Sequence, residues 1–368
     1  MKKSSISFVS PHAYPVIAGG DFQTAGGAEI QQWLLAQELA DKGYRVSFVV
    51  GDFGQLELES IKGIQFHRSY RLFHGNGKVR YPANMFLLMR AMSRADADIY
   101  YQRAGMFYTG PVALFTSLKR RKFIYSAGHD RNCNPELQSG MSNFIRRFYR
   151  FGLKKADLVT AQSEYQKKLF KRYYGVESVV VKNGFHIRDV QFRKRSDNTV
   201  LWVAKAHYWK RPELFLELAR RIPDVIFDMV CAPAQQYLYY EKLKGDAKKI
   251  PNLRFHGFIP IDKIDSFFEK ATVFVNTSSS EGFPNTFLQA WARYVPVVTL
   301  KVDPDKCVNS NEIGFCSESF DRLVNDVKTL INDKFLREKM GKAGREYIEA
   351  EHDISKIGEN FSEILGKL

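Results

Sequence analysis

The segment over residues 276–291, NTSSSEGFPNTFLQAW, holds residue types well suited to binding a phosphorylated ligand. The sequence predicts that a strand ends near Asn276 and that a helix begins soon after Glu281, with Pro284 in its first turn. Backbone amides at such a helix N-terminus suit a phosphate, and Gln289 would lie further along the same helix. A capping acid before an ordinary helix remains the alternative for Glu281. The candidate ligand-binding residues here are Glu281, Gly282, Phe283, Pro284, Asn285, Thr286 and Gln289.

A second candidate segment, residues 201–212 (LWVAKAHYWKRP), contains two cations that follow a predicted strand. Lys205 and Lys210 would lie on the loop at the carboxyl end of that strand, close to the start of a helix. Two cations beside a helix N-terminus form a site for a diphosphate. Ordinary surface lysines are the alternative interpretation.

Two further candidates lie in the first half of the chain. Gly26 and Gly27 open a predicted helix, where glycine lets a ligand approach the backbone closely, although an ordinary tight turn has the same composition. His129 and Asp130 follow a predicted strand, FIYSAG, and a histidine at that place is either structural or catalytic. The glycine-rich dinucleotide-binding pattern GxGxxG is absent from the sequence, which argues against a dinucleotide-dependent oxidoreductase.

Alternating strands and helices would position these residues. Short apolar runs predict strands over 5–10, 44–51, 64–69, 98–102, 122–126, 157–162, 179–182, 199–204, 225–230, 253–256, 273–276 and 295–300. Helices are predicted between them, among them 28–42, 84–95 and 143–155, and the end of the chain from 319 is helical. Near-continuous apolar strands that alternate with helices indicate parallel sheets covered on both faces.

The predicted fold class is therefore α/β, with two doubly wound, Rossmann-like parallel-sheet domains that face each other across a cleft. We expect an N-terminal domain over 1–185, a polar and basic linker over 186–198 and a C-terminal domain over 199–350. A last helix, 351–368, is expected to pack back toward the N-terminal domain. Ligands bind at the carboxyl ends of parallel strands, where the candidate residues lie.

Composition and charge restrict the class of protein. The 368 residues are 45% hydrophobic and 26% charged, which excludes a disordered or fibrous chain, and no apolar run is long enough to span a membrane. The four cysteines form no CxxC pair, so we expect buried thiols in a reducing cytoplasm rather than a disulfide framework.

Residues 1–200 carry 31 Lys and Arg against 16 Asp and Glu, whereas residues 201–368 carry 24 of each. The whole excess of +15 thus lies in the first part and favours an anionic partner there, unless it is only a solvated basic face.

Taken together, these motifs are similar to those of the family 4 retaining glycosyltransferases with the GT-B fold. The resemblance rests on the order and spacing of Gly26-Gly27, His129-Asp130, Asn183-Gly184, Lys205 with Lys210, and the Glu281 segment. It covers nearly the whole chain. Lysine stands at 205 where the family usually has arginine, and glutamine stands at 289 where the family has its second glutamate.

The resemblance implies transfer of a sugar from a nucleotide-diphosphate sugar, with retained anomeric configuration, no cofactor and no metal. Lys205 and Lys210 would bind the donor diphosphate, Glu281 the donor sugar and Gln289 the ribose hydroxyls. His129 would lie beside the sugar, and Gly26 and Gly27 would face the phosphates. Lysine lacks the bidentate fork of arginine, and glutamine binds a hydroxyl more weakly than a carboxylate does, so weaker donor binding is expected.

We therefore expect a hexosyltransferase of polysaccharide or glycolipid assembly, with a glycan or a lipid-linked acceptor. It is expected in the cytoplasm, peripheral on the inner face of an anionic membrane, because basic and aromatic residues interleave over 146–155 as in an interfacial helix. The same mixture occurs in a helix whose aromatic residues face the core. The alternative, from a different functional class, is a non-catalytic nucleotide-sugar-binding or scaffold protein. Nucleic acid is not an expected partner, because the net positive charge is the only feature of the sequence that suggests one.

Overall fold

The computed structural model describes residues 3–19, 26–72, 77–138, 140–190, 192, 198–234 and 236–368, and the chain separates into two units. The first comprises Met1–Gly184 together with Ile354–Leu368, and the second comprises Phe185–Asp353. Within the described residues, no helix is both long enough and apolar enough to cross a membrane.

The first unit contains one sheet. Its strands are β1 (Ser5–Val9), β2 (Arg45–Asp52), β3 (Leu58–Ile61), β4 (Ile64–Arg71), β5 (Ile99–Arg103), β6 (Lys122–Ser126), β7 (Leu158–Ala161) and β8 (Val179–Val180). Among the described residues the order is β3-β4-β2-β1-β5-β6-β7-β8, and neighbours are parallel except β3 and β4. Phe8, Phe48 and Phe66 stack across β1, β2 and β4 with ring centroids 5.0 Å apart. All five residues of β1 are buried, as expected for a strand inside a parallel sheet covered on both faces.

Helices pack on both faces of this sheet. They are α1 (Ala13–Ala18), α2 (Gly27–Asp41), α3 (Gly77–Ala95), α4 (Thr109–Lys119), α5 (Asp130–Cys133), α6 (Asn143–Lys155), α7 (Glu164–Tyr174) and, from the end of the chain, α15 (Ile354–Leu365). Leu35, Leu39 and Phe361 join one apolar core with alternate residues of the strands, whereas Leu153 and Phe170 join the core on the other face. Helix α15 packs against α2, so the end of the chain belongs to the first unit.

The second unit repeats this arrangement with a smaller sheet. Its strands are β9 (Thr199–Lys205), β10 (Ile226–Ala232), β11 (Leu253–Phe255), β12 (Val273–Asn276), β13 (Val297–Thr299) and β14 (Gly314–Cys316), parallel in the order β11-β10-β9-β12-β13-β14. Its helices are α8 (Pro212–Arg221), α9 (Tyr237–Ala247), α10 (Ile261–Lys270), α11 (Asn285–Trp291), α12 (Cys307–Ser310), α13 (Phe320–Asn332) and α14 (Lys334–Glu351). The central strands β9 and β12 end beside each other, which brings the loops after them together.

The two predicted parallel α/β domains are confirmed, with three differences. The first sheet is not wholly parallel, because β3 and β4 form a hairpin through Lys62 and Gly63, which both have positive φ. Positive φ at both turn residues matches the twist of such a hairpin. Strands β3 and β14 were not predicted, since neither is a long apolar run. The predicted linker 186–198 is counted with the second unit, apart from residues 191 and 193–197, which lie outside the described residues.

Candidate donor-binding site

The first part of the site is the loop that follows β9. Lys205 is the last residue of β9, and a short 3₁₀ helix, Tyr208–Lys210, leads to Pro212 at the start of α8. Arg211 turns the chain with a φ of 48°, a left-handed conformation that a side chain adopts only under constraint. Lys205 and Lys210 are both half-buried, so both cations remain accessible to a ligand.

The second part is the loop that follows β12, and hydrogen bonds tie it to the first. Thr277 Oγ1 donates to the carbonyl oxygen of Lys210 at 2.7 Å and accepts from Trp202 Nε1 at 2.9 Å. The amide of Ser279 donates to the carbonyl oxygen of Trp209 at 2.8 Å. The two loops are therefore one rigid assembly at the carboxyl edge of the sheet, where parallel sheets bind ligands.

Glu281 is buried in this assembly and is neutralised there by a cation. Its carboxylate forms an ion pair with Lys210 Nζ and accepts a hydrogen bond of 2.7 Å from Ser278 Oγ. The residue is only 8% exposed. A carboxylate so removed from water needs such partners, so a bare capping role does not account for Glu281.

His207 lies among the same charges, and the sequence analysis did not single it out. Its ring stacks on Trp209 with centroids 4.1 Å apart. Burial and the charges of Lys205 and Lys210 lower the pKa of His207 from 6.5 to about 4, so its imidazole is neutral at pH 7. The sequence signal that could have identified His207 is the pair of lysines two residues before it and three residues after it.

The helix after Glu281, α11, begins at Asn285. Pro284 precedes α11 as its N-cap instead of lying in the first turn, and Phe283 is buried against Trp291 and His352. Pro284 has no N–H, so it contributes no amide to this N-terminus. Gly282, Asn285, Thr286 and Gln289 are half-buried, and Gln289 is the fifth residue of α11.

The remaining candidates belong to the first unit. Gly26 is the N-cap of α2, and the Glu29 carboxylate lies so close to its Cα that a Cβ would collide with it. The Glu29 side chain thus occupies the space beside Gly26, and Gly27 is the first residue of the helix. His129 is the N-cap of α5, and its Nδ1 accepts from the amide of Arg131 at 3.1 Å. The proton of the neutral ring is therefore on Nε2.

The structure thus groups the predicted residues by unit. Lys205, Lys210 and Glu281 lie on the two connected loops of the second unit, where Lys210 pairs with Glu281 and Lys205 ends β9. In the first unit, the start of α2 lies beside the turn before His129, because a Cβ built on Gly128 would be 3.8 Å from Ala28 Cβ.

Comparison with known families decides the class of protein. Residues 25–188 match the model of Glycosyltransferase Family 4, and residues 185–347 match that of Glycosyl transferases group 1. The chain belongs to the group 1 glycosyltransferases. The resemblance seen in the sequence is thereby confirmed.

Solved structures confirm that this glycosyltransferase has the GT-B fold. Sucrose-phosphate synthase from Thermosynechococcus elongatus is similar with a TM-score of 0.84 and 16% identity, over 99% of each chain. Anabaena HepE in complex with UDP and glucose gives a TM-score of 0.78 and 18% identity over the full length of both chains. WaaG, a glycosyltransferase involved in lipopolysaccharide biosynthesis, gives 0.72 and 15% identity over 98% of this chain and 99% of WaaG.

The curated relatives are more similar in sequence but over shorter stretches. The capsular polysaccharide biosynthesis glycosyltransferase CapM of Staphylococcus aureus is 37% identical over 100 residues, which is 26% of either chain. An uncharacterized glycosyltransferase of Haemophilus influenzae is 24% identical over 220 residues, 57% of this chain and 61% of the relative. The matched part is less than two thirds of each relative's length.

Proposed function

We propose that this glycosyltransferase moves a hexose from a nucleotide-diphosphate sugar to a glycan or lipid-linked acceptor, with retained anomeric configuration and without a metal ion. The observation that carries the proposal is the cluster of Lys205, Lys210 and Glu281 at the carboxyl ends of β9 and β12. Two cations and one carboxylate on a rigid pair of loops suit a diphosphate joined to a sugar. HepE, which has the same fold, has been solved with UDP and glucose.

In this proposal the second unit binds the donor and stabilises the leaving group. Negative charge grows on the diphosphate as the glycosidic bond breaks, and Lys205 and Lys210 are half-buried cations able to offset it without a metal. Amides of Gly282, Phe283, Asn285 and Thr286 would add hydrogen bonds. The leaving phosphate accepts the proton of the acceptor hydroxyl on the face from which it departs, which retains the configuration.

The remaining residues bind and orient the donor. Glu281 contacts the sugar, and its ion pair with Lys210 fixes the carboxylate before the donor arrives. Gln289 binds the ribose hydroxyls as an amide, and His129 offers its Nε2–H to the sugar. Gly26 and Gly27 allow the start of α2 to approach the phosphates, provided that the Glu29 carboxylate moves from Gly26.

The acceptor side of the proposal assigns the enzyme to the cytoplasmic face of an anionic membrane. On α6, Tyr149 and Leu153 are buried, whereas Phe144 is 63% exposed. Arg147, Lys154 and Lys155 are exposed on the same helix, and none of the described residues forms an ion pair with them. Exposed aromatic and basic side chains on one helix suit the headgroup region of a membrane. CapM and WaaG, named for polysaccharide and lipopolysaccharide biosynthesis, support a glycan or glycolipid acceptor.

A donor screen tests the proposal. Uridine, guanosine and adenosine diphosphate sugars are compared by thermal shift, because a ligand that binds the folded state raises the unfolding midpoint. The stabilising donor is then incubated with the enzyme and EDTA, and the anomeric configuration of the product is read by NMR. Donor turnover that survives EDTA and gives a retained product is expected. Stabilisation without donor hydrolysis or transfer would instead identify a non-catalytic binding protein.

A further inference from the structure

Arg103 is a buried cation at the carboxyl end of the first sheet. It is the last residue of β5, which lies between β1 and β6 in the middle of that sheet, and it is only 7% exposed. The carboxyl edge of a parallel sheet is where such folds bind ligands.

The guanidinium of Arg103 has one protein partner but no counter-charge among the described residues. Nη2 donates to Asn183 Oδ1 at 2.6 Å, and no described residue forms a hydrogen bond with the buried Nε. Asn183 Oδ1 also accepts from Gln162 Nε2 at 2.9 Å. Across the described part of the chain, no carboxylate lies within ion-pair distance of Arg103. An arginine in a protein remains charged, so this charge is buried without compensation.

The other buried arginines show what Arg103 lacks. Arg293 is 5% exposed and forms an ion pair with Asp265, and Arg345 is 6% exposed and forms an ion pair with Glu349. Both thus have a carboxylate from the protein. Burying a charge is unfavourable unless it is paired, and Arg103 is the buried arginine whose pair is not supplied by a described residue.

The surroundings of Arg103 are those of a ligand site. A Cβ on Gly128 would be 3.8 Å from both Arg103 Cγ and Ala28 Cβ, so the Arg103 side chain and the start of α2 both lie beside the turn that leads to His129. Ala104, the next residue, has a φ of 54°, and the buried Gln102 amide fixes this turn through the carbonyl oxygens of Ala104 and Gly105. Arg103 therefore projects from a fixed turn close to two segments that carry candidate site residues.

We propose that Arg103, oriented by Asn183, binds an anionic group of the acceptor, either a phosphate or a carboxylate. The anion supplies the counter-charge that none of the described residues provides. Assignment to the acceptor rests on the proposed function, in which the donor diphosphate is bound by Lys205 and Lys210 of the second unit. The site also lies within residues 1–200, the part of the sequence that carries the whole excess of positive charge.

The first test measures anion binding apart from transfer. Thermal unfolding is followed against inorganic phosphate at constant ionic strength in Lys210→Ala, which weakens binding at the donor loops. Phosphate should raise the unfolding midpoint of Lys210→Ala. It should also raise that of the control Lys210→Ala with Arg147→Gln, which removes an exposed charge that no described residue pairs. It should not raise that of Lys210→Ala with Arg103→Gln. A rise that persists with Arg103→Gln, or no rise in any of the three, would overturn the proposal. Glucuronate replaces phosphate in a second series, and the stronger response assigns the anion as phosphate or carboxylate.

A second measurement excludes a merely structural arginine. Without added anion, Arg103→Gln in the otherwise unchanged protein should unfold at the same temperature as the parent or higher, because it removes an uncompensated buried charge. The matched variant Arg293→Gln should unfold at a lower temperature, because it leaves Asp265 without its partner. Equal destabilisation by the two variants would contradict the anion site.

A third measurement separates the acceptor from the donor. The dissociation constant of the stabilising nucleoside diphosphate should change less than about twofold in Arg103→Gln, because in this proposal Arg103 does not contact the donor. An increase of about tenfold or more, the effect of losing a charge-assisted hydrogen bond, would assign the anion to the donor and overturn the acceptor assignment. These binding readouts remain interpretable even if the chain transfers no sugar.

Discussion

The ion pair between Lys210 and Glu281 should stabilise the second unit more than an ordinary surface pair does. The Lys210 and Glu281 side chains are 21% and 9% exposed. Two unit charges about 4 Å apart interact by about 4 kcal/mol at an effective dielectric constant of about 20. Because Lys210 is partly solvated and Glu281 retains its hydrogen bond from Ser278, we expect about half of this, a coupling free energy of about 2 kcal/mol.

A double-mutant cycle measures this coupling. The free energy of unfolding of the second unit is determined by urea denaturation for the parent, Lys210→Met, Glu281→Gln and the double variant at pH 7. The matched control is the cycle Lys249→Met with Asp246→Asn, a surface pair at 2.9 Å whose side chains are 74% and 34% exposed. Exposed pairs couple by less than about 1 kcal/mol. A Lys210–Glu281 coupling no larger than that of the control would refute the role assigned to burial.

The same variants connect stability to chemistry. Glu281→Gln keeps the shape of the side chain and releases Lys210, so the nucleoside diphosphate should bind at least as tightly as before. Transfer should nevertheless be lost, as it should in Glu281→Ala, because the contact with the sugar is gone. Circular dichroism checks that the fold persists. Near-normal turnover in a folded variant would reject the assignment of Glu281.

Further predictions concern other charges of the protein. Gln289→Glu should lower the donor dissociation constant several-fold, since a carboxylate binds a hydroxyl more strongly than an amide, and an unchanged constant would count against a ribose contact. Lys205→Ala and Lys210→Ala should each weaken the nucleoside diphosphate about tenfold but leave the free nucleoside unaffected; equal losses for both ligands would show that neither lysine binds phosphate. His207 has a lowered pKa of about 4 in the folded state, so the unfolded chain binds the extra proton and stability falls as the pH drops from 6.5 to 4. Allowing for solvent, this loss is about 1–2 kcal/mol, and it should be smaller in His207→Gln in parallel denaturation curves at the two pH values. Liposome sedimentation should require anionic lipid and should fall, by about 1 kcal/mol per removed cation, in a variant that changes three exposed residues to Ser; equal binding to neutral vesicles would remove the membrane proposal. The three residues are Arg147, Lys154 and Lys155, with Arg146 left intact because it donates to the carbonyl oxygen of Gln138.

The sequence predicted the sheets and the position of the site for one physical reason. A central parallel strand is buried on both faces, so it reads as an apolar run, and the polar residues that follow mark its carboxyl end. Lys205 after β9 and the Glu281 loop after β12 were found in this way. Strands β3 and β14 lie at the edges of their sheets and lack such runs, which is why the sequence did not predict them.

The ion pair, the neutral histidine and the unpaired arginine could not be predicted, because each depends on which side chains meet. Lys210 and Glu281 are 71 residues apart, and the two loops after β9 and β12 bring them into contact. Arg103 ends an apolar strand like many surface cations, and its burial with no described carboxylate beside it distinguishes it. Periodicity specifies which residues are near the end of a strand, but not the partners that determine their charge state.

The two units differ in how they balance buried charge at their carboxyl edges. In the second unit the cation Lys210 is neutralised by Glu281 from within the protein, so a diphosphate that binds there must compete with or share an existing ion pair. The existing ion pair therefore predicts a modest affinity for the donor in the ground state. It favours a stabilisation of the leaving diphosphate that grows as charge develops on it during transfer. In the first unit no described carboxylate pairs with Arg103, so an anionic ligand that binds Arg103 does not compete with an existing ion pair there. The loss of Arg103 should therefore lower acceptor affinity by more than the loss of Lys210 lowers donor affinity, which is about tenfold.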